Sequence, residues 1–167
     1  MKQKLKTVVL LLAALACLVL LYRHFFPNDE KIIRRRLAEL AEAASIPEQS
    51  SPAAGLVAAD RLRDFLTPQV EVVVELPHEG RHTFAGRQEL VQAALAARAT
   101  YGGLKVEFLD VRVTVDPGRA TATAHLTARA TLPAQRDFMV QELSLRLQKE
   151  ERQWRVLRAE TVKTLSL

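Results

Sequence analysis

The stretch from residue 120 to residue 131 constrains the fold most, because its apolar and polar residues alternate without interruption. The even positions are Ala or Leu, whereas the odd positions are Thr, His or Arg. A period of two places alternate side chains on opposite faces of a β-strand, so this stretch predicts a strand with one packed and one solvated face. Because the packed face is mostly alanine, it leaves room for a helix, a cavity or another subunit close to the sheet.

Three further long strands are predicted around this one, at residues 104–115, 137–149 and 153–165. Tight turns at residues 116–118 and 150–152 and a looser connection at residues 133–136 separate them, so we expect neighbouring strands to be antiparallel. In the strands at 104–115 and 137–149 the apolar positions change from even to odd part-way along. Such a change requires a β-bulge or a strand whose two ends bury opposite faces, and it predicts a strongly bent sheet.

The residues before this array predict three amphipathic helices and two short strands. Apolar residues recur at helical spacing within residues 29–44, 52–66 and 87–100, and we expect the second helix to end at Thr67-Pro68. Residues 70–76 and 81–85 have the composition of strands joined by a turn. The sequence therefore predicts an α+β domain at residues 28–167, with three helices packed on a bent antiparallel sheet.

Two short motifs in this domain resemble those of the nuclear transport factor 2-like (NTF2-like, or SnoaL-like) superfamily. Residues 84–90, Phe-Ala-Gly-Arg-Gln-Glu-Leu, resemble the family's entry to its third helix. Residues 141–143 followed by 153–156 resemble its hairpin, in which an aromatic residue opens the last strand. The resemblance covers residues 29–167 and implies a cone-shaped, cystatin-like fold. Some members hold acid and base residues in an apolar pocket, whereas others are non-catalytic assembly or ligand-binding modules.

An apolar run without a charge occupies residues 7–22, and Lys2, Lys4 and Lys6 precede it. As a helix it spans about 24 Å, slightly less than the roughly 30 Å of a bilayer core, and residues 5–26 span more if Lys6 and Arg23 reach the head groups. We expect residues 1–27 to be an uncleaved single-pass membrane anchor, with the domain in the periplasm or its equivalent. A cleaved signal peptide and a lipoprotein are the alternatives.

The charge distribution indicates which classes of partner the chain could bind. The first 26 residues hold four of the basic residues and no acid, so they account for most of the net charge of +5, and the domain is nearly neutral. Together with an aromatic content of 5%, this predicts no nucleic-acid partner. The triplet Arg34-Arg35-Arg36 is interpreted either as a solvated helix face or as a contact with anionic lipid head groups.

No cofactor or metal motif occurs in the sequence. Its one cysteine, Cys17, lies in the apolar run, and His78 and His82 lack a third ligand nearby, so we expect no cofactor and no metal. Six ionisable or aromatic residues are candidates for a pocket: Asp60, Tyr101, Asp110, His125, Glu142 and Trp154. Each also has a structural interpretation. Asp60 is interpreted as a helix-surface residue, Tyr101 as a helix end and Trp154 as core packing. Asp110 and Glu142 are interpreted as charges at a sheet edge, and His125 as a residue on a solvated strand face. An isomerase resembling ketosteroid isomerase would place a tyrosine on its first helices, and neither Tyr22 nor Tyr101 matches.

The sequence contains no recognisable set of catalytic residues. This favours a membrane-anchored module that binds a partner protein or a small apolar ligand without catalysis. Two alternatives remain, namely a cofactor-independent isomerase, lyase or hydrolase and a subunit of an envelope assembly. A homodimer through the open face of the sheet is also predicted, because four apolar residues fall out of phase with the core. These residues are Val106, Phe108, Phe138 and Val140.

Overall fold

The computed structural model describes residues 29–47, 52–76, 80–100, 103–118, 120–132 and 137–162. Its helices are α1 (Asp29–Ala44), α2 (Pro52–Arg63) and α3 (Arg87–Thr100). Its strands are β1 (Leu66–Leu76), β2 (Gly80–Ala85), β3 (Lys105–Val115), β4 (Thr121–Leu132), β5 (Asp137–Glu150) and β6 (Gln153–Thr161). The strands form one curved sheet in the order β2-β1-β6-β5-β4-β3. The predicted α+β class, with three helices on a bent sheet, is confirmed.

The predicted anchor at residues 5–26 lies outside the described residues and stays a prediction. Among the helices of the described part, none is both long and apolar enough to cross a bilayer.

One strand pair corrects the expectation of a purely antiparallel sheet. Val72 of β1 lies beside Ala159 of β6 in a parallel pairing, whereas every other pairing between the described strands is antiparallel. Short turns fix the relative direction of consecutive strands only. β1 is the first strand of the chain and β6 is the last, so no short turn joins them. The turn lengths therefore give no information about the relative direction of β1 and β6.

The start of β1 differs from the prediction as well. Helix α2 ends at Arg63, and β1 begins at Leu66, so Thr67 and Pro68 lie inside a strand rather than at a helix end. Pairing with β6 is irregular between Leu66 and Glu71. Proline has no N–H group to donate, and strands tolerate it at such irregularities.

A β-bulge interrupts β3 and is, of the two causes that its change of phase allowed, the one found in the structure. Leu109 pairs with Thr127 and Arg112 with His125, so Asp110 and Val111 together oppose one residue of β4. Asp110 adopts the left-handed conformation, with φ of 52°. Val106 and Phe108 pair with alanines of the packed face of β4, which contradicts their assignment to the outward-facing apolar set. Leu109 is the first of the odd apolar positions, which would place it with the packed residues, but it lies before the bulge and is 38% exposed.

The change of phase in β5 has a different cause. β4 and β5 pair in continuous register from Thr121 and Gln148 to Leu132 and Asp137, so β5 has no bulge against β4. Phe138 and Val140 therefore point away from the core and are 66% and 50% exposed. The outer face, defined as the face of the sheet opposite α1, thus keeps two of the four residues on which the homodimer prediction was based.

Helix α1 fills the space beside the alanines of β4. Ile33 and Leu37 belong to the same buried cluster as Ala122 and Ala124, together with Leu147 of β5. α1 also covers the free edge of β3 through two polar contacts. The Arg34 guanidinium donates a hydrogen bond to the Val111 carbonyl at the bulge. The Ser45 hydroxyl, just beyond the helix end, accepts a hydrogen bond of 2.9 Å from the Val106 N–H.

Candidate functional site

The candidate Trp154 belongs to the core. It opens β6 and is fully buried, and its indole Nε1 donates a hydrogen bond of 3.3 Å to the Asp29 carboxylate. The same carboxylate oxygen lies 2.8 Å from the Lys149 ammonium. Asp29 itself is 5% exposed, in the first turn of α1. A buried carboxylate with an ammonium partner and an indole donor is a structural tie between α1 and the β5–β6 hairpin.

Three other candidates come together on the outer face. Asp110, His125 and Glu142 line one groove of about 310 Å³, together with Arg112, Thr127 and Val162 and the backbone side of Leu126 and Leu143. β4 contributes His125 from its polar face, β5 contributes Glu142, and the bulge of β3 contributes Asp110. The pairing of Arg112 with His125 and of Thr127 with Glu142 sets the spacing of these residues across the sheet. We call this site the outer groove.

The outer groove exposes charged groups that the described part of the chain leaves unsatisfied. Within that part, no hydrogen bond or ion pair involves the side chains of Asp110, Arg112 or His125, and all three are exposed. One row further along the sheet the charges are paired instead. Glu107 lies 2.6 Å from Arg129 and 2.9 Å from Lys105. Hydrogen bonds from Lys105 and Arg129 hold the pKa of the Glu107 carboxyl below its usual value.

The remaining two candidates lie elsewhere. Asp60 lies on the surface of α2, where it is 3.5 Å from Arg63. It lies at the rim of a groove of about 430 Å³ between α2 and α3, whose walls include Val57, Val91 and Leu95. Tyr101 lies outside the described residues. Of the six candidates, then, the structure brings together Asp110, His125 and Glu142.

The outer groove presents an imidazole, a guanidinium and two carboxylates on one solvent-exposed surface. A carboxylate that serves as an acid or base near neutral pH is usually desolvated, because burial raises its pKa. Asp110 and Glu142, like Asp60 on α2, are exposed to solvent. Among the described residues, no three His, Cys, Asp or Glu side chains are grouped closely enough to hold a metal ion.

Sequence reasoning missed Arg112 and Val162 as groove residues. Arg112 follows Asp110 by two positions, and the bulge predicted next to Asp110 is a signal that could have placed both side chains on one face. Val162 has no comparable signal, because its position beside Glu142 depends on a hydrogen bond from its own N–H to the Glu142 carbonyl.

Comparison with known proteins bears on the fold. No protein-family model matches the sequence, and none of the curated proteins matches it. Solved structures do match. An NTF2-like protein with a cystatin-like fold from Novosphingobium aromaticivorans superposes with a TM-score of 0.64 at 20% identity, over 85% of this chain and 86% of that chain. The chain has the NTF2-like fold.

Two other structures with the NTF2-like fold carry provisional names. A protein from Novosphingobium aromaticivorans, provisionally named a scytalone dehydratase, superposes with a TM-score of 0.59 at 14% identity, over 82% of this chain and 85% of that chain. A provisionally named dehydratase of the NTF2-like family from Streptomyces avermitilis has a TM-score of 0.57 at 16% identity, over 83% and 97% of the two chains. At these identities the likeness shows the fold alone.

Proposed function

We propose that this chain is a membrane-anchored NTF2-like module that binds a protein partner through the outer face of its sheet, without catalysis. The outer groove carries the proposal. Its side chains of Asp110, Arg112 and His125 are exposed and have no partner among the described residues. Charged groups of both signs beside exposed apolar residues are typical of protein-binding surfaces.

The inner side of the sheet supports a non-catalytic role. Four large side chains on this side are at most 1% exposed, namely those of Ile33, Leu37, Leu147 and Trp154. The carboxylate at this side, that of Asp29, is engaged by Lys149 and Trp154. Since NTF2-like enzymes are expected to hold an acid or base in an apolar pocket, an interior filled by large side chains favours binding over turnover.

The position of α1 supports action at a membrane surface. Asp29 follows Phe26, the last residue of the proposed membrane-spanning range 5–26, by three residues, a distance of about 11 Å at full extension. If residues 5–26 span the bilayer, the contact of Asp29 with Lys149 keeps the β5–β6 hairpin close to it. Of the arginine triplet, Arg34 and Arg36 bond to backbone carbonyls of the domain, whereas the Arg35 side chain is 84% exposed and pairs with Glu39 at 3.1 Å. The lipid-contact interpretation thus applies best to Arg35.

Site-specific photo-crosslinking in native membranes tests the proposed function. A benzophenone amino acid replaces Thr114, which is exposed on the outer face opposite Thr123, in the full-length chain. The matched control carries it at Arg61, which is exposed on α2. We expect a crosslinked protein product from position 114 and little from position 61. Equal products from both positions, or none from 114, would contradict the proposal.

A cofactor-independent enzyme is the second candidate, because an imidazole and two carboxylates line the same outer groove. In that case His125→Gln would abolish turnover of a small substrate while leaving the crosslinking from position 114 intact. Under the binding proposal, His125→Gln weakens the crosslinking, and no substrate is consumed by either protein. The two readouts separate the two functions.

A further inference from the structure

We propose that the free edge of β2 is a docking site for an extended, acidic segment of a partner protein, which adds to the sheet as a further strand. β2 and β3 lie at opposite ends of the strand order, so this surface is separate from the outer groove and the inference does not depend on the proposed function. It follows from the backbone groups that β2 leaves unpaired and from the charges beside them.

The two edges of the sheet differ in how their backbone is covered. At the β3 edge, Arg34 and Ser45 bond to backbone groups of Val111 and Val106. At the other edge, no further strand of the described residues follows β2. Its pairing with β1 is regular along its whole length, and β2 contains no proline. Apart from its charges, β2 therefore lacks the features by which edge strands usually avoid further pairing.

The hydrogen-bond pattern between β1 and β2 shows which backbone groups of β2 are free. The Gly86 N–H donates a hydrogen bond of 2.7 Å to the Val70 carbonyl, and in an antiparallel pair every second residue bonds to its partner strand in this way. The even-numbered residues of β2 therefore bond to β1. Its odd-numbered residues direct their N–H and C=O groups away from the sheet, and these residues are Arg81, Thr83 and Ala85.

One of these outward groups has a partner within the chain. The Ala85 N–H donates a hydrogen bond of 2.7 Å to the carboxylate of Glu89, in the first turn of α3. The contact supports the assignment of the odd positions to the free edge, and it closes that edge at one end. The N–H and C=O groups of Arg81 and Thr83 remain, and an added antiparallel strand can bond to all of them.

The charges beside this edge favour an acidic occupant. Arg81 is exposed, and Arg87 is the first residue of α3. Within the part of the chain that the structure describes, neither arginine side chain has a hydrogen bond or an ion pair. In an added antiparallel strand, the residue opposite Arg81 lies on the same side of the sheet as the guanidinium. A carboxylate at that position would form a cross-strand ion pair.

A second copy of β2 fits the edge less well than an acidic segment does. Antiparallel pairing of two β2 strands through their odd-numbered residues can be centred on Arg81, His82 or Thr83. The first two centres place identical basic side chains directly opposite each other, which disfavours the pairing. A centre on Thr83 places Ala85 opposite Arg81 and requires the Ala85 N–H, which Glu89 already holds.

Peptide binding to the full-length chain in a mild non-ionic detergent tests the inference. The probe is a short fluorescein-labelled peptide of alternating valine and glutamate, and its control peptide has lysine in place of each glutamate. Fluorescence anisotropy measures the dissociation constant of each peptide. Thr83→Pro removes a free N–H group but keeps the bonds to β1, because edge strands tolerate proline where the N–H faces solvent. Thr83→Ala keeps the N–H and is the matched control.

We expect wild type to bind the glutamate peptide at least tenfold more tightly than the lysine peptide, as a rough magnitude, and Thr83→Pro to lose about tenfold relative to Thr83→Ala. Arg81→Glu should reverse the preference between the peptides. This variant tests the inference even if Thr83→Pro unfolds, which the urea midpoint of Trp154 fluorescence would reveal. No binding of the glutamate peptide to wild type, or equal affinities of Thr83→Pro and Thr83→Ala, would overturn the inference.

Sedimentation equilibrium of the same two variants tests the alternative occupant. If Thr83→Pro associates with itself more weakly than Thr83→Ala, a second copy occupies the β2 edge and the inference is wrong. Equal self-association supports a segment of another protein. The crosslink from position 114 reports on the outer face, so its absence would remove the proposed function and leave the result at the β2 edge unchanged.

Discussion

The Lys149 ammonium lies 2.8 Å from the Asp29 carboxylate, although 120 residues separate the two in sequence. The contact joins the first turn of α1 to the end of β5, and Trp154 donates a hydrogen bond to the same oxygen. It fixes where the chain enters the domain. The N-terminal end of α1 is thereby held against the hairpin at the centre of the sheet.

Asp29→Ala should destabilise the domain. The substitution leaves the buried Trp154 N–H without an acceptor and the partly buried Lys149 without its counter-ion, and such losses cost about 2–3 kcal/mol. Trp154 is the single tryptophan of the chain, so its fluorescence during denaturation by urea reports the free energy of unfolding. Asp60→Ala is the control, because its exposed ion pair with Arg63 is expected to contribute under about 1 kcal/mol. Equal effects of the two substitutions would show that the tie does not stabilise the fold.

Arg152→Gly should stabilise the domain. Glu151 and Arg152 form the β5–β6 turn with φ values of 49° and 68°, and non-glycine residues in this left-handed region cost roughly 1–2 kcal/mol. Glycine removes that strain at a position where hairpin turns favour it. The urea midpoint of Trp154 fluorescence should therefore rise for Arg152→Gly. It should not rise for Arg152→Ala, which removes the side chain but keeps the strain.

The Glu107 carboxyl should contribute a pH-dependent stabilisation. Hydrogen bonds from Lys105 and Arg129 lower its pKa in the folded state below the ordinary value of 4.5. A lowered folded-state pKa stabilises the fold above the unfolded-state pKa, and the effect is lost as pH falls through the folded-state value. Wild type should exceed Glu107→Gln in stability at neutral pH by a small amount, because the pair is partly exposed. The difference should vanish in acid, and a difference independent of pH would contradict this account.

Residues 5–26 should hold the chain in the membrane. We expect the full-length protein to stay in the membrane pellet after extraction with alkaline carbonate, and a chain lacking residues 1–27 to be released. In a Cys17→Ser background, Arg61→Cys should react with a membrane-impermeant maleimide added to intact cells if the domain is extracytoplasmic. Labelling only after lysis would reverse the predicted topology, and release of the full-length chain by carbonate would remove the anchor.

Periodicity in the sequence predicted those structural elements that depend only on residues close to one another in the chain. The alternation of residues 120–131 predicted β4 and its packed alanines, and the phase change in β3 predicted the bulge beside Asp110. Pro68 misled the prediction because proline ends a helix and also fits an irregular strand, and only the pairing with β6 separates the two.

Long-range relationships could not be predicted in the same way. The parallel pairing of β1 with β6, the contact of Asp29 with Lys149 and the position of Val162 beside Glu142 depend on the folded chain path. For the candidate site, the sequence selected Asp110, His125 and Glu142 as ionisable residues of predicted strands. It also selected Asp60 and Trp154, which lie on a helix surface and in the core, because no local pattern showed which surface of the folded domain carries the groove.

The contacts from Arg34 and Ser45 to β3 limit how this protein can polymerise. Growth of a continuous β-ribbon requires every molecule to offer an unpaired strand on both sides. Since α1 and its last turn already engage the backbone of β3 at Val106 and Val111, each molecule offers at most one such strand. Edge-to-edge growth would therefore stop at two molecules, which protects the chain from forming fibres.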